Sequence, residues 1–155
     1  MASLTDQLLR PGTREIVVDS CCELVGREVE GKRGFSGAAV KAGFAVVTRV
    51  KPGFVREVVS KLLPEFAGAL EPIYQRSAEE VGEGAAEGAV ADAFVARVTR
   101  ERASVAEALL GVTDRRIGDA RPSIRKAYER LRPNALDNVE AALPGLLTAI
   151  RPHLD

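Results

Sequence analysis

Apolar residues recur at spacings of three and four along almost the whole of this chain, and alternation at two is nearly absent. This is the tightest constraint on what it can fold into. A repeat near 3.6 lines those side chains up along one side of a helix, whereas a strand needs a repeat of two. Aromatic residues make up only 5% of the chain, and short valine pairs such as Val46 and Val47 fit helix spacing equally well. The sequence therefore predicts an all-α fold, a single compact bundle of six to eight short or proline-kinked helices.

Breakers divide the pattern. A first short helix over about 4–9 ends at Pro11 and Gly12, and Thr13 is placed to cap a second, whose stripe of Ile16, Val17, Cys21, Leu24, Val25 and Val29 stops near Gly31. Ser36 reads as the next cap, with Phe35 and Val40 at the spacing of a hydrophobic staple, and the small face of Gly37, Ala38, Ala42 and Gly43 permits close helix approach. After Pro52 and Gly53 the apolar stripe from Val55 to Ile73 crosses Pro64 in phase, so the helix either kinks there or stops at Leu63 and restarts with Pro64 at its first position. The stretch 77–91 is rich in Gly, Ala and Glu and reads as a mobile acidic connector or a weak helix. Ser104 with Glu107 has capping-box spacing before a short helix ending at Gly111, and Ser123 is a cap for the helix carrying Ile124, Ala127, Tyr128 and Leu131. Pro133 and Asn134 open the last helix, with its stripe from Leu136 to Leu154.

Two parts of the chain say nearly the same thing. "LLPEFAGALEPI" (Leu62 to Ile73) and "ALPGLLTAIRPH" (Ala142 to His153) place Leu63 on Leu143, Pro64 on Pro144, Ala69 on Ala149, Leu70 on Ile150 and Pro72 on Pro152 at one offset. One gap then sets "RVKPG" over "RLRPN". The reading is a candidate internal duplication of a helical hairpin that cannot bury its face alone, which predicts two similar kinked hairpins about a pseudo-two-fold.

At 155 residues the chain suits one domain, taken as 1–155, that buries a core unaided, and 46% hydrophobic residues is ordinary for a globular protein. Lys and Arg number 22, as do Asp and Glu, so no global field attracts nucleic acid. Neither a secretory signal nor a run of 18 uncharged apolar residues is present, and the expectation is a cytoplasmic protein without a transmembrane segment. Cys21 and Cys22, adjacent on a helix, point about 100° apart and cannot bridge each other without strain, which suits reduced thiols.

Chemistry-bearing motifs are sparse. His153 is the single histidine, so the cysteines lack zinc-like company and no metal or other cofactor is expected. "GFSGA" around Ser36 has Ala38 where a nucleophile elbow needs its second glycine, and the carboxylates Glu79, Glu80, Glu83 and Glu87 read as a solvated face. Charge is uneven: residues 53–92 hold three basic and eight acidic residues, and 97–132 hold ten basic and five acidic. Arg121, Arg125, Lys126 and Arg130 form a candidate anion-binding ridge, whose plainer reading is a solvated helix face docked near the acidic connector.

Together "GFSGAAVKAGFAVVTRVKPGFV", "LLPEFAGALEPI", "LLGVTDRR" and "RKAYERLRPNALDNVEAALPGL" resemble a small family of uncharacterised helical proteins of high-GC bacteria, over most of the chain from Leu4 to Leu147. The resemblance implies a single helical domain and carries no activity, cofactor or catalytic residue. The functional expectation is a non-enzymatic helical interaction module with a protein partner or a second copy of itself. The alternative is a carrier of an apolar or acyl ligand between kinked helices, with Phe44, Phe54, Phe66 and Leu70 as its candidate surface. An enzyme and a nucleic-acid accessory factor rank below these.

Overall fold

In the computed structural model the described residues are 2–32 and 34–155, the side chains of 34–36 excepted. They form eight α-helices and no strand: α1 (Leu4–Leu8), α2 (Thr13–Gly31), α3 (Gly34–Val50), α4 (Phe54–Val81), α5 (Ala89–Arg100), α6 (Arg102–Arg116), α7 (Pro122–Leu131) and α8 (Ala135–Ile150). Short 3-10 turns at Ile117–Asp119 and Arg132–Asn134 flank α7, and a third follows α8.

Several helix starts differ from the sequence reading, each for a local reason. Gly12, at φ 87°, occupies the cap position of α2 and puts Thr13 inside the helix. Pro122 takes the first position of α7, where its missing N–H costs nothing, so the cap falls on Arg121 and Ser123 lies in the first turn. α6 begins at Arg102, ahead of Ser104, and runs through Gly111 to Arg116 because Val105, Leu109 and Val112 keep one buried face across that glycine. α3 begins at Gly34, so Ser36 sits within its first turn, and the Phe35 staple lies outside the described side chains. Of the small face of α3, only Gly37 and Gly43 turn inward, whereas Ala38 and Ala42 are exposed. A Cβ at Gly43 would stand 3.1 Å from Leu131 Cδ1, so the α3–α7 contact is as close as the glycine allows.

The expected connector shrinks to 82–88. α4 continues to Val81 because Ser77 is buried, with its hydroxyl donating to the Ile73 carbonyl at 2.9 Å, and α5 starts at Ala89 because Val90 and Ala91 pack into the core. Gly82, Gly84 and Gly88 all adopt positive φ, and this glycine-rich turn reverses the chain between two closely packed helices. Its acidic neighbours meet other arginines than the expected ridge: Glu80 pairs with Arg97 and Asp92 with Arg151. α7 packs instead on α3.

α4 runs unbroken through Pro64 and Pro72. A proline inside a helix leaves the carbonyl four residues back without its amide partner, for Pro64 the carbonyl of Ser60. The Arg14 guanidinium from α2 donates to that oxygen at 3.0 Å, so a tertiary contact repairs the helix.

The packing repeats as the sequence does. α2 packs on α4 as α6 packs on α8, α2 on α8 as α6 on α4, α1 on α4 as α5 on α8, and α3 packs on α7. Exchanging α1–α4 with α5–α8 maps these pairings onto one another, as a pseudo-two-fold relation requires, whereas the extensive α4–α5 packing has no comparable α8–α1 counterpart. Setting α2 on α6 with Val17 over Val105, an offset of 88 where the echoed segments have 80, also pairs residues of similar burial: Val17 and Val105, Val18 and Ala106, Cys21 and Leu109. The apolar cluster drawn from α1, α2, α4, α5, α6 and α8 includes no described residue of α3 or α7, which make a layer of their own. At the far end, Tyr74 and Phe94 meet edge to face at 5.5 Å, and buried Gln7 donates to Tyr74 Oη at 2.9 Å while its Oε1 accepts from the Asp155 amide at 2.8 Å.

Candidate functional site

α2, α4, α6 and α8 line a half-open cavity of about 240 Å³, with Leu8 of α1 also in its wall. The repeat builds its wall. From α4 and α8 come Val59 and Val139, Leu63 and Leu143, Phe66 and Leu146, Leu70 and Ile150, all at the constant offset of the sequence repeat. α2 contributes Cys21 and Val25 and α6 contributes Leu109 and Thr113, a pair four residues apart on each helix. The cavity therefore lies between the two halves and draws on both.

The wall offers almost nothing polar. Thr113 carries its one hydroxyl, which lies 3.0 Å from the Leu110 carbonyl and 2.8 Å from the Tyr128 hydroxyl and has a single proton to donate to one or the other. Burial, and secondarily the neighbouring Cys22, push the Cys21 thiol up to about 11, so at neutral pH it is a protonated, weakly polar surface. Both cysteines are free.

Behind Thr113 lies a polar joint between α6 and α7. Asp114 accepts two hydrogen bonds from Arg132, each 3.0 Å, and a third from Tyr128. Arg132 and then Tyr128 hold the Asp114 carboxyl below its ordinary range, while burial and this carboxylate raise the Tyr128 hydroxyl. The sequence reading missed this joint because nothing in the spacing of Asp114, Tyr128 and Arg132 announces it.

Of the candidate apolar residues, the structure brings Phe66 and Leu70 together in the wall. Phe44 on α3 and Phe54 at the start of α4 are half-buried and stand outside it. The contributions of α2, α6 and α8 were not named from sequence, although extending the repeat offset to Val59 and Val139 would have found part of them. Arg121, Arg125, Lys126 and Arg130 are all exposed, and of these Arg125 makes a long 3.4 Å contact to the Gly118 carbonyl. Glu79, Glu83 and Glu87 are exposed, and no group of three His, Cys, Asp or Glu side chains among the described residues converges as metal ligands would. No helix among the described residues is long and apolar enough to cross a membrane.

Fold and site together define an all-helical bundle with an apolar cavity lined by the echoed helices α4 and α8 together with α2 and α6. The chain belongs to the family of unknown function DUF6918, which it matches over residues 4–154. No curated protein and no solved structure matches it.

Proposed function

We propose that the protein binds a small apolar molecule, or the hydrocarbon tail of an amphiphile, in the cavity between its halves. The observation that carries this reading is a wall with aliphatic, aromatic and thiol side chains and one already bonded hydroxyl. Such a wall has no partner for a carboxylate or ammonium group, so a charged head stays outside. A cavity of about 150 Å³ holds benzene, and scaling to 240 Å³ gives an occupant on the order of ten carbons. At about 0.8 kcal/mol per buried methylene, less at least 4 kcal/mol for association, the dissociation constant falls at about 1 mM or weaker.

The self-associating module has less behind it. Ile16, Val46 and Val50 are the large apolar side chains exposed among the described residues, whereas stable self-association needs a contiguous apolar area.

Titration of the protein with 1-aminoanthracene, followed by displacement with alcohols of increasing chain length, tests the binding reading. Saturable fluorescence is expected, with displacement improving up to medium chains and then levelling. Ala142→Trp fills the cavity and abolishes the signal, and Val59→Phe weakens it if the larger change disturbs folding. Absence of saturation in the natural protein, or equal binding by both folded variants, sinks the reading.

A further inference from the structure

We infer that the α3–α7 layer is a docking surface for an anionic lipid bilayer. Along α3 and the residue that follows it the chain carries three basic residues, Lys41, Arg49 and Lys51, and no acidic one, and from Arg121 to Arg132 five basic and one acidic. These segments are far apart in sequence, and the fold packs them against each other through α3 and α7. A chain of zero net charge thus gathers a positive pole on one layer.

Several of these charges are not spent inside the molecule. Lys41 and Arg49 on α3, with Arg121, Arg125, Lys126 and Arg130 on or beside α7, are exposed and form no ion pair among the described residues. The basic residues of these two segments that do pair, Lys51 with Glu57 and Arg132 with Asp114, bind acids of the neighbouring elements and leave the outer face positive.

The apolar residues decide between possible anionic partners. Of the three large apolar side chains exposed among the described residues, Val46 and Val50, each 37% exposed, lie on α3. They follow Gly43, which faces Leu131 of α7, at spacings of three and seven, so both valines run along the α3–α7 seam. Exposed Ala38, Ala42 and Ala45 extend the apolar part of α3. Basic side chains beside a shallow apolar strip suit a lipid headgroup layer, where the charges meet phosphates and the valines enter the acyl boundary. A nucleic acid would use the charges and leave the valines unsatisfied. This inference rests on charge and exposure and is independent of the cavity reading.

Co-sedimentation of the full chain with phosphatidylcholine vesicles, with and without phosphatidylglycerol, tests it. The protein is expected on the anionic vesicles only, and raising salt releases it. Lys41→Glu with Arg49→Glu, and separately Arg125→Glu with Arg130→Glu, each weakens partition more than tenfold, from about fivefold per charge near such a surface. The charge-matched control, Arg100→Glu with Arg102→Glu at the α5–α6 joint, changes it less than about twofold. Circular dichroism confirms folding, and Lys41→Gln with Arg49→Gln replaces any pair that loses helical signal, with a smaller loss expected. Equal binding to neutral vesicles, no binding to anionic ones, an equal loss in the control, or salt-sensitive binding to duplex DNA in place of vesicles overturns the proposal. Aminoanthracene binding, read in the same variants, decides only the cavity reading.

Discussion

Gly145 shows how one missing side chain shapes the cavity. A Cβ there would stand 2.4 Å from Leu24 Cδ1, and Leu24 is part of the wall, so the leucine yields most easily into the cavity. Gly145→Ala is expected to cost less than about 2 kcal/mol, because a helix gain near 1 kcal/mol offsets part of the repacking. Aminoanthracene affinity should fall several-fold, and unchanged affinity would show that Leu24 moved elsewhere. Glu71 is the second telling residue. Its carboxylate accepts from the Leu4 and Thr5 amides at 3.0 Å each and so caps α1 from a different helix. Burial opposes this charge, but the Thr5 amide, Gln75 and the Leu4 amide together hold the carboxyl below its ordinary 4.5. A carboxyl lowered on folding stabilises fully above its unfolded value and loses that contribution as pH falls through the folded one. Glu71→Gln is expected to lose about 1–2 kcal/mol at neutral pH. In denaturant titrations the gap to the natural protein should close below about pH 4. Neither role was legible in sequence, because each depends on a residue from a distant segment.

For the helices, the apolar period located most bodies and misplaced several ends. A stripe of six or seven apolar residues restricts which face is buried, whereas a helix start is decided by one or two residues competing for the cap. Gly12 and Pro122 won over Thr13 and Ser123 because positive φ and a fixed φ with no N–H already suit those positions. Pro64 is the reverse case: the sequence left a kink or a break open, and Arg14 allows a continuous helix. This contact is testable by a double-mutant cycle. Arg14→Met should cost about 1 kcal/mol in the natural protein by leaving the Ser60 carbonyl unsatisfied. In a Pro64→Ala background position 64 regains its N–H, and the same change should cost almost nothing, a coupling near 1 kcal/mol in chemical denaturation. Additive effects would show that the Ser60 carbonyl finds another donor.

At the scale of the whole molecule, the two halves are joined covalently at 82–88 and non-covalently at the chain ends, where Gln7 holds the Asp155 amide. A circular permutant opened within 82–88, with Asp155 linked to Ala2 by a short flexible segment, is therefore expected to fold with the same helical content and one cooperative melt. Loss of cooperativity would mean that the α4–α5 packing needs its covalent turn. By itself the sequence determined the helical class, the approximate span of most helices and the echo between Leu62–Ile73 and Ala142–His153, because periodicity and proline placement act over a few turns of chain. Only the tertiary structure decided that the echoed helices face one cavity and that two distant basic segments form one layer. It also showed that Phe66 and Leu70 share a wall which Phe44 and Phe54 do not reach. Those outcomes depend on which apolar faces find one another, and pairings between distant segments leave no period in the chain that encodes them.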